Sequence, residues 1–122
     1  MSADKIESWR DLVVWQKAHA AALDVYRVTK LFPPDERFRL TDQLCRAAAS
    51  VPTNIAEGKG RGSLAEFRQF LIIARGSTEE TRYLLLLARD LAVLSQENHS
   101  QLESIYTEIS KMTNALLRSL KP

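Results

Sequence analysis

Four arginines, Arg68, Arg75, Arg82 and Arg89, recur at seven-residue intervals, and Arg39 and Arg46 repeat the step earlier in the chain. A guanidinium presents a rigid fork of donors that matches phosphate oxygens. A seven-residue step keeps such side chains on one helix face, with only about 20° of drift. One reading is therefore a basic stripe that tracks a phosphate backbone. The other reading is structural. In heptad terms these arginines flank a core stripe, where they pair with acids across a helix or subunit boundary. Glu79 is placed to partner Arg75 and Arg82, and Glu66 and Asp90 dilute the charge. Lys59 and Arg61 differ in setting, because the glycine-rich turn Gly58-Lys59-Gly60-Arg61-Gly62 leaves them freer to meet a phosphate. The candidate nucleic-acid contacts are Lys59, Arg61, Arg46, Arg68 and Arg75.

Other chemistry finds little support. The turn lacks the G-x-x-x-x-G-K-[ST] spacing of a phosphate loop and follows a helical pattern, not a strand. His19 and His99 stand alone in their segments, and no Glu-x-x-His pair exists to build a di-iron bundle site. Cys45 lies among small and apolar residues, the setting of an inert thiol. Arg46 stands beside it, but no local His or second Cys joins it. Ser50, Ser63 and Ser77 belong to no nucleophile motif. Catalysis by Glu57 would need an apolar pocket with convergent polar groups. The expectation is a non-enzymatic protein with no metal and no other cofactor.

The elements that must position these residues read as helices. At 122 residues the chain fits one domain, and 45% hydrophobic residues suffice for a core without disulfides. The lone Cys45 suits a reducing cytoplasm. No signal-peptide stretch opens the chain, and the longest apolar run, Leu84 to Ala88, is too short to span a membrane. A net charge of +2 permits a nucleic-acid partner without demanding one.

Residues 1–9 read as a lead-in and 10–122 as a single bundle domain. Ser8, with Asp11 three residues on, marks the first helix start. Val14, Ala18, Ala21, Val25, Val28 and Phe32 form its apolar face, and Pro33-Pro34 ends it. The second helix starts near Asp35, with Leu40, Leu44, Ala47, Val51 and Ile55 inward. Pro52 predicts a kink or short break, and Gly58 a left-handed terminator. Ser63 and Glu66 form an S-x-x-E capping box for the third helix, Leu64 to Leu94. Its two apolar stripes cover more than half the circumference, more than a peripheral helix of a small monomer needs. The excess predicts a subunit interface through Phe70, Ile73, Leu84, Leu87 and Leu91. A fourth helix follows Ser95. No segment alternates like a strand, so the predicted fold is all-α: an antiparallel up-down-up-down four-helix bundle.

The segments Arg10-Asp11-Leu12-x-x-Trp15-x-x-Ala18, Phe32-Pro33-x-x-Glu36-Arg37, Arg46-Ala47-Ala48-x-Ser50-Val51-Pro52-x-Asn54-Ile55-Ala56-Glu57-Gly58-x-Gly60-Arg61 and Glu66-Phe67-x-x-Phe70-Leu71-x-x-Ala74-x-Gly76-Ser77 carry a resemblance. Together they closely resemble the four-helix-bundle family named for proteins encoded within intervening sequences of bacterial large-subunit ribosomal RNA genes. The resemblance runs from about residue 10 to 120, and the fourth helix matches only in pattern. It implies an antiparallel bundle that assembles into barrel-like homopentamers. A related branch contains the accessory proteins of diversity-generating retroelements, which bind nucleic acid and a reverse transcriptase. Asn54, Glu57 and Gly58 match the motif and are expected to act structurally, as a cap, a buried or interfacial polar contact, and a terminator. The functional expectation is a self-assembling adaptor that associates with RNA, DNA or a ribonucleoprotein. The alternative is a scaffold that binds only a protein partner. Neither involves a membrane.

Overall fold

The computed structural model describes residues 7–121. Among them the architecture is all helical, without strands. Four long helices, α1 (Val13–Thr29), α2 (Asp42–Gly60), α3 (Leu64–Asp90) and α4 (Gln96–Ser119), pack in a ring in which each touches its chain neighbours and α4 closes on α1. Contacts across the seams run antiparallel. Arg68, Arg75 and Arg82 of α3 meet Leu117, Asn114 and Glu103 of α4. Ser50 and Gly58 of α2 meet Ser77 and Phe70 of α3. The up-down-up-down order follows from short connections between amphipathic helices.

The core is the set of stripes read from the sequence. Val14, Ala18, Ala21 and Val25 of α1, Leu44, Ala48, Val51 and Ile55 of α2, Leu71, Ala74 and Leu85 of α3, and Tyr106 and Ile109 of α4 are buried. Three of the four buried threonines among the described residues, Thr78, Thr81 and Thr113, each return the hydroxyl to the carbonyl four residues back. That local bond removes the cost of burying an unpaired hydroxyl.

Several boundaries differ from expectation. Ser8 and Asp11 do form a capping box, but on a single 3-10 turn, Trp9–Asp11, after which Leu12 is extended and α1 begins. Trp9 therefore belongs to the folded unit, its ring 4.7 Å from that of Trp15. The rest of the expected lead-in, residues 1–6, lies outside the described residues. The second helix does not start at Asp35. A 3-10 turn, Pro34–Glu36, leads into a π-helical turn, Arg37–Thr41, in which the Asp42 amide donates to the Arg37 carbonyl five residues back. This wider turn breaks the seven-residue relation of Arg39 to Arg46.

Pro52 causes no break. α2 runs through it, with the ring buried. Thr53 and Asn54 donate side-chain hydrogen bonds of 2.8 Å to the carbonyls of Ala49 and Ser50, adding donors to the turn where proline removes one. Gly58 is no terminator either: it lies inside α2, buried, and the helix continues to Gly60. The left-handed residue is Gly62, at φ +84°. Gly58 instead lets α3 approach, since a Cβ there would stand 2.5 Å from Cβ of Phe70. α3 ends at Asp90, earlier than Leu94. Ala92 takes φ +61°, with its amide on the Arg89 carbonyl and the Val93 amide on the Ala88 carbonyl. This is a Schellman closure with alanine in the place that usually holds glycine.

Candidate nucleic-acid interface

Three arginines of the α3 series, Arg68, Arg75 and Arg82, reach across the seam to α4, and the four members have different partners. Arg82 donates to Glu103 at 2.6 and 3.1 Å and to Glu79 at 3.2 Å. The hydrogen bond it donates to Glu103 is the main cause that holds its guanidinium pKa above the ordinary arginine value, against the opposing effect of burial. Arg89 pairs with Asp90 at 3.0 Å. Arg68 and Arg75 have neutral acceptors: Arg68 donates to the Leu117 carbonyl, and Arg75 to Oδ1 of Asn114 at 3.1 Å. Such bonds fix the guanidinium groups without cancelling their charge. The expected pairing of Arg75 with Glu79 does not form, because Glu79 turns to Arg82 and to the Ser110 hydroxyl.

Arg68 and Arg75 line a cavity of about 260 Å³ together with Ile72, Asn114, Leu117, Arg118 and Lys121. Among the described residues, four cations and no carboxylate border it. Arg118 and Lys121 are exposed on the last turn of α4 and just beyond it. Basic residues at the end of a helix complement its dipole, so nothing in the local sequence sets Arg118 and Lys121 apart as ligand contacts. Nor does it display the register that lays the end of α4 beside the start of α3.

The glycine turn is less free than its composition indicates. Arg61 is bound by Glu57 at 2.9 Å and Glu66 at 3.6 Å and lies over the Phe70 ring. The Glu57 hydrogen bond, the largest cause, raises its pKa. Glu57 is thus an exposed ion-pair partner, not a buried contact. Lys59 lies over the Phe67 ring, 5.6 Å from its centroid. Both still stand at the α2–α3 end of the bundle, the end that holds Arg68, Arg118 and Lys121. Arg46 is elsewhere, 80% exposed and paired with Asp42.

The remaining expected residues are structural or superficial. Ser63 accepts from the Glu66 amide at 3.1 Å, yet Glu66 answers only through the Ser63 hydroxyl and Arg61, so the capping box is half made. Asn54 is not a cap; it reaches the Ser50 hydroxyl at 2.9 Å, which in turn meets Ser77 at 2.9 Å across the α2–α3 seam. Of the interface candidates, Leu84 lies in the chain's own core and Leu87 packs on it. Phe70 is half-buried against Gly58, while Ile73 and Leu91 are exposed at 44% and 55%. His19 stacks on Trp15 with ring planes 7° apart, and His99 is buried. Among the described residues no group of His, Cys, Asp or Glu is placed to hold a metal, and no helix is long and apolar enough to cross a membrane.

An all-helical bundle with a basic seam defines a class rather than an activity. The model of the 23S rRNA-intervening sequence protein family matches residues 10–115, and the chain belongs to that family. It is similar to a crystallised protein of unknown function from the S23 ribosomal protein family of Bacteroides thetaiotaomicron. The two share 26% identity with a TM-score of 0.81, over 87% of this chain and 96% of that one. No curated protein matches the chain.

Proposed function

We propose that this protein is a non-enzymatic, self-assembling bundle that holds nucleic acid by its phosphates at the α2–α3 end. The observation that carries the reading is the cluster of Arg68, Arg75, Arg118 and Lys121, which no carboxylate joins among the described residues. Opposite charges along a surface compensate one another unless they are segregated, and here four cations without a carboxylate partner share one seam of a chain whose net charge is only +2. Arg68 and Arg75 are held in place before a ligand arrives, so little side-chain ordering remains to be paid on binding. Homopentamer formation, implied by the family resemblance, would repeat this end around an axis as a basic ring. Ile72, Ile73 and Tyr83, exposed on α3, and Leu91 at its C-cap supply apolar surface for it.

Arg118→Glu with Lys121→Glu changes exposed residues only, so the fold should survive. The double variant should bind labelled RNA or DNA at least about tenfold more weakly at low salt. Unchanged affinity would remove the seam from the interface. The rival reading, a scaffold for a protein partner alone, is favoured by one observation. Trp9, Trp15, His19, Tyr26 and Pro52 line an apolar groove of about 500 Å³ between α1 and α2. Nucleic-acid affinity that is absent at low salt would favour that reading.

A further inference from the structure

The π-helical turn between α1 and α2 builds a second surface that the basic seam does not explain. π turns are rare, and they often occur at functional sites. This one, Arg37–Thr41, buries Leu40 and leaves Phe38 84% exposed, the most exposed of the large apolar side chains among the described residues. The Arg37 guanidinium lies 5.3 Å from the Phe38 ring centroid. Tyr26, half-exposed on α1, borders the same cavity of about 590 Å³, as do Lys30, Cys45 and Arg46. Three cations thus surround two accessible aromatic rings, and the one carboxylate on the cavity, Asp42, is engaged with Arg46 at 3.1 Å. An apolar contact alone does not call for this charge. A single phosphate does not either, because Arg37 and Arg46 are separated by about a dozen ångströms of helix axis.

We propose that this corner is a docking site for single-stranded nucleic acid. A base stacks on Phe38 or Tyr26, and successive phosphates meet Lys30, Arg37 and Arg46. Rings interleaved with cations are the chemistry that holds unpaired strands, because every base has a π face and a duplex keeps that face hidden. The inference rests on the proposed nucleic-acid role and deepens it. The seam at the other end meets phosphates of any strand, whereas this corner selects unpaired ones.

The test is fluorescence anisotropy with a labelled single-stranded oligonucleotide and with its duplex, on the full chain, with oligomeric mass followed by light scattering. Phe38→Ala removes an exposed ring, and should weaken single-strand binding by about tenfold, the value of one lost stack, while duplex binding and oligomeric mass stay the same. Equal loss for both ligands, or no loss for either, overturns the assignment. A change in oligomeric mass overturns it as well, and makes the corner an interface between copies. Arg118→Glu separates the two claims: if it weakens both ligands while Phe38→Ala weakens neither, the phosphate seam stands and the stacking corner falls. If the wild type binds neither ligand, both fall. Cys45, the only cysteine, lies on the cavity and provides a second readout without mutation. The single strand should slow alkylation of Cys45 and the duplex should not; an unchanged rate with bound single strand contradicts the site.

Discussion

A guanidinium can bind a ligand, brace a fold or do both, and its acceptor decides which. Arg82 faces two carboxylates and is spent on joining α3 to α4. Arg68 and Arg75 brace the same seam through a carbonyl and an amide, and keep their charge. The seven-residue spacing is plain in the sequence, but the acceptors are not, since they lie 39 and 49 residues away on another helix. Tyr106 raises a different question at this scale. It is fully buried, its hydroxyl has no hydrogen-bond partner in the structure, and burial, with smaller contributions from Asp24 and Cys45, pushes its pKa well up. An unfolded chain releases this proton near pH 10, whereas the folded one retains it. The folded state therefore binds more protons above that pH, and its stability should fall as pH rises further. Tyr106→Phe should flatten this alkaline loss in denaturant titrations. At neutral pH it should add about 1 kcal/mol by removing an unpaired buried hydroxyl. A marked loss of stability on that change would mean the hydroxyl has a partner.

The helices themselves were largely legible, because 3.6-residue periodicity depends only on local sequence. What escaped was set by neighbours. Gly58 looks like a terminator in isolation, yet its use is to admit Phe70. Pro52 looks like a breaker, yet α2 continues through it in a packed setting. Gly76 looks like Gly58 in sequence but has nothing within 4 Å of a Cβ. These two glycines should respond oppositely to alanine. Gly76→Ala should stabilise by about 1 kcal/mol through helix propensity. Gly58→Ala should cost about 2 kcal/mol net, because overpacking against a rigid Cβ outweighs that gain. Thermal or urea unfolding of the pair reads this directly, and the same sign at both positions would contradict the close approach. The π turn had no signal in periodicity, since five residues are too few to show a 4.4-residue step.

At the scale of the molecule, the charge is arranged by end rather than by total. Lys59, Arg61, Arg68, Arg118 and Lys121 share the α2–α3 end, and Glu57 and Glu66 answer only Arg61 there. Self-association should place copies of this end side by side. Light scattering on the purified chain should give a mass of five protomers, and a monomer at micromolar concentration would contradict the proposed assembly. Oligomeric state was not readable from helix patterning, and Leu84 shows why: half of an apolar excess can be spent inside the protomer. The most direct test of the account is the affinity of the wild-type protein for labelled RNA and DNA across a salt series. The account predicts micromolar or tighter binding at low salt that falls steeply as salt rises, with a slope near −0.9 per phosphate contacted on duplex. No binding at low salt by the well-formed protein would contradict it, and would leave Arg68 and Arg75 as braces of the α3–α4 seam alone.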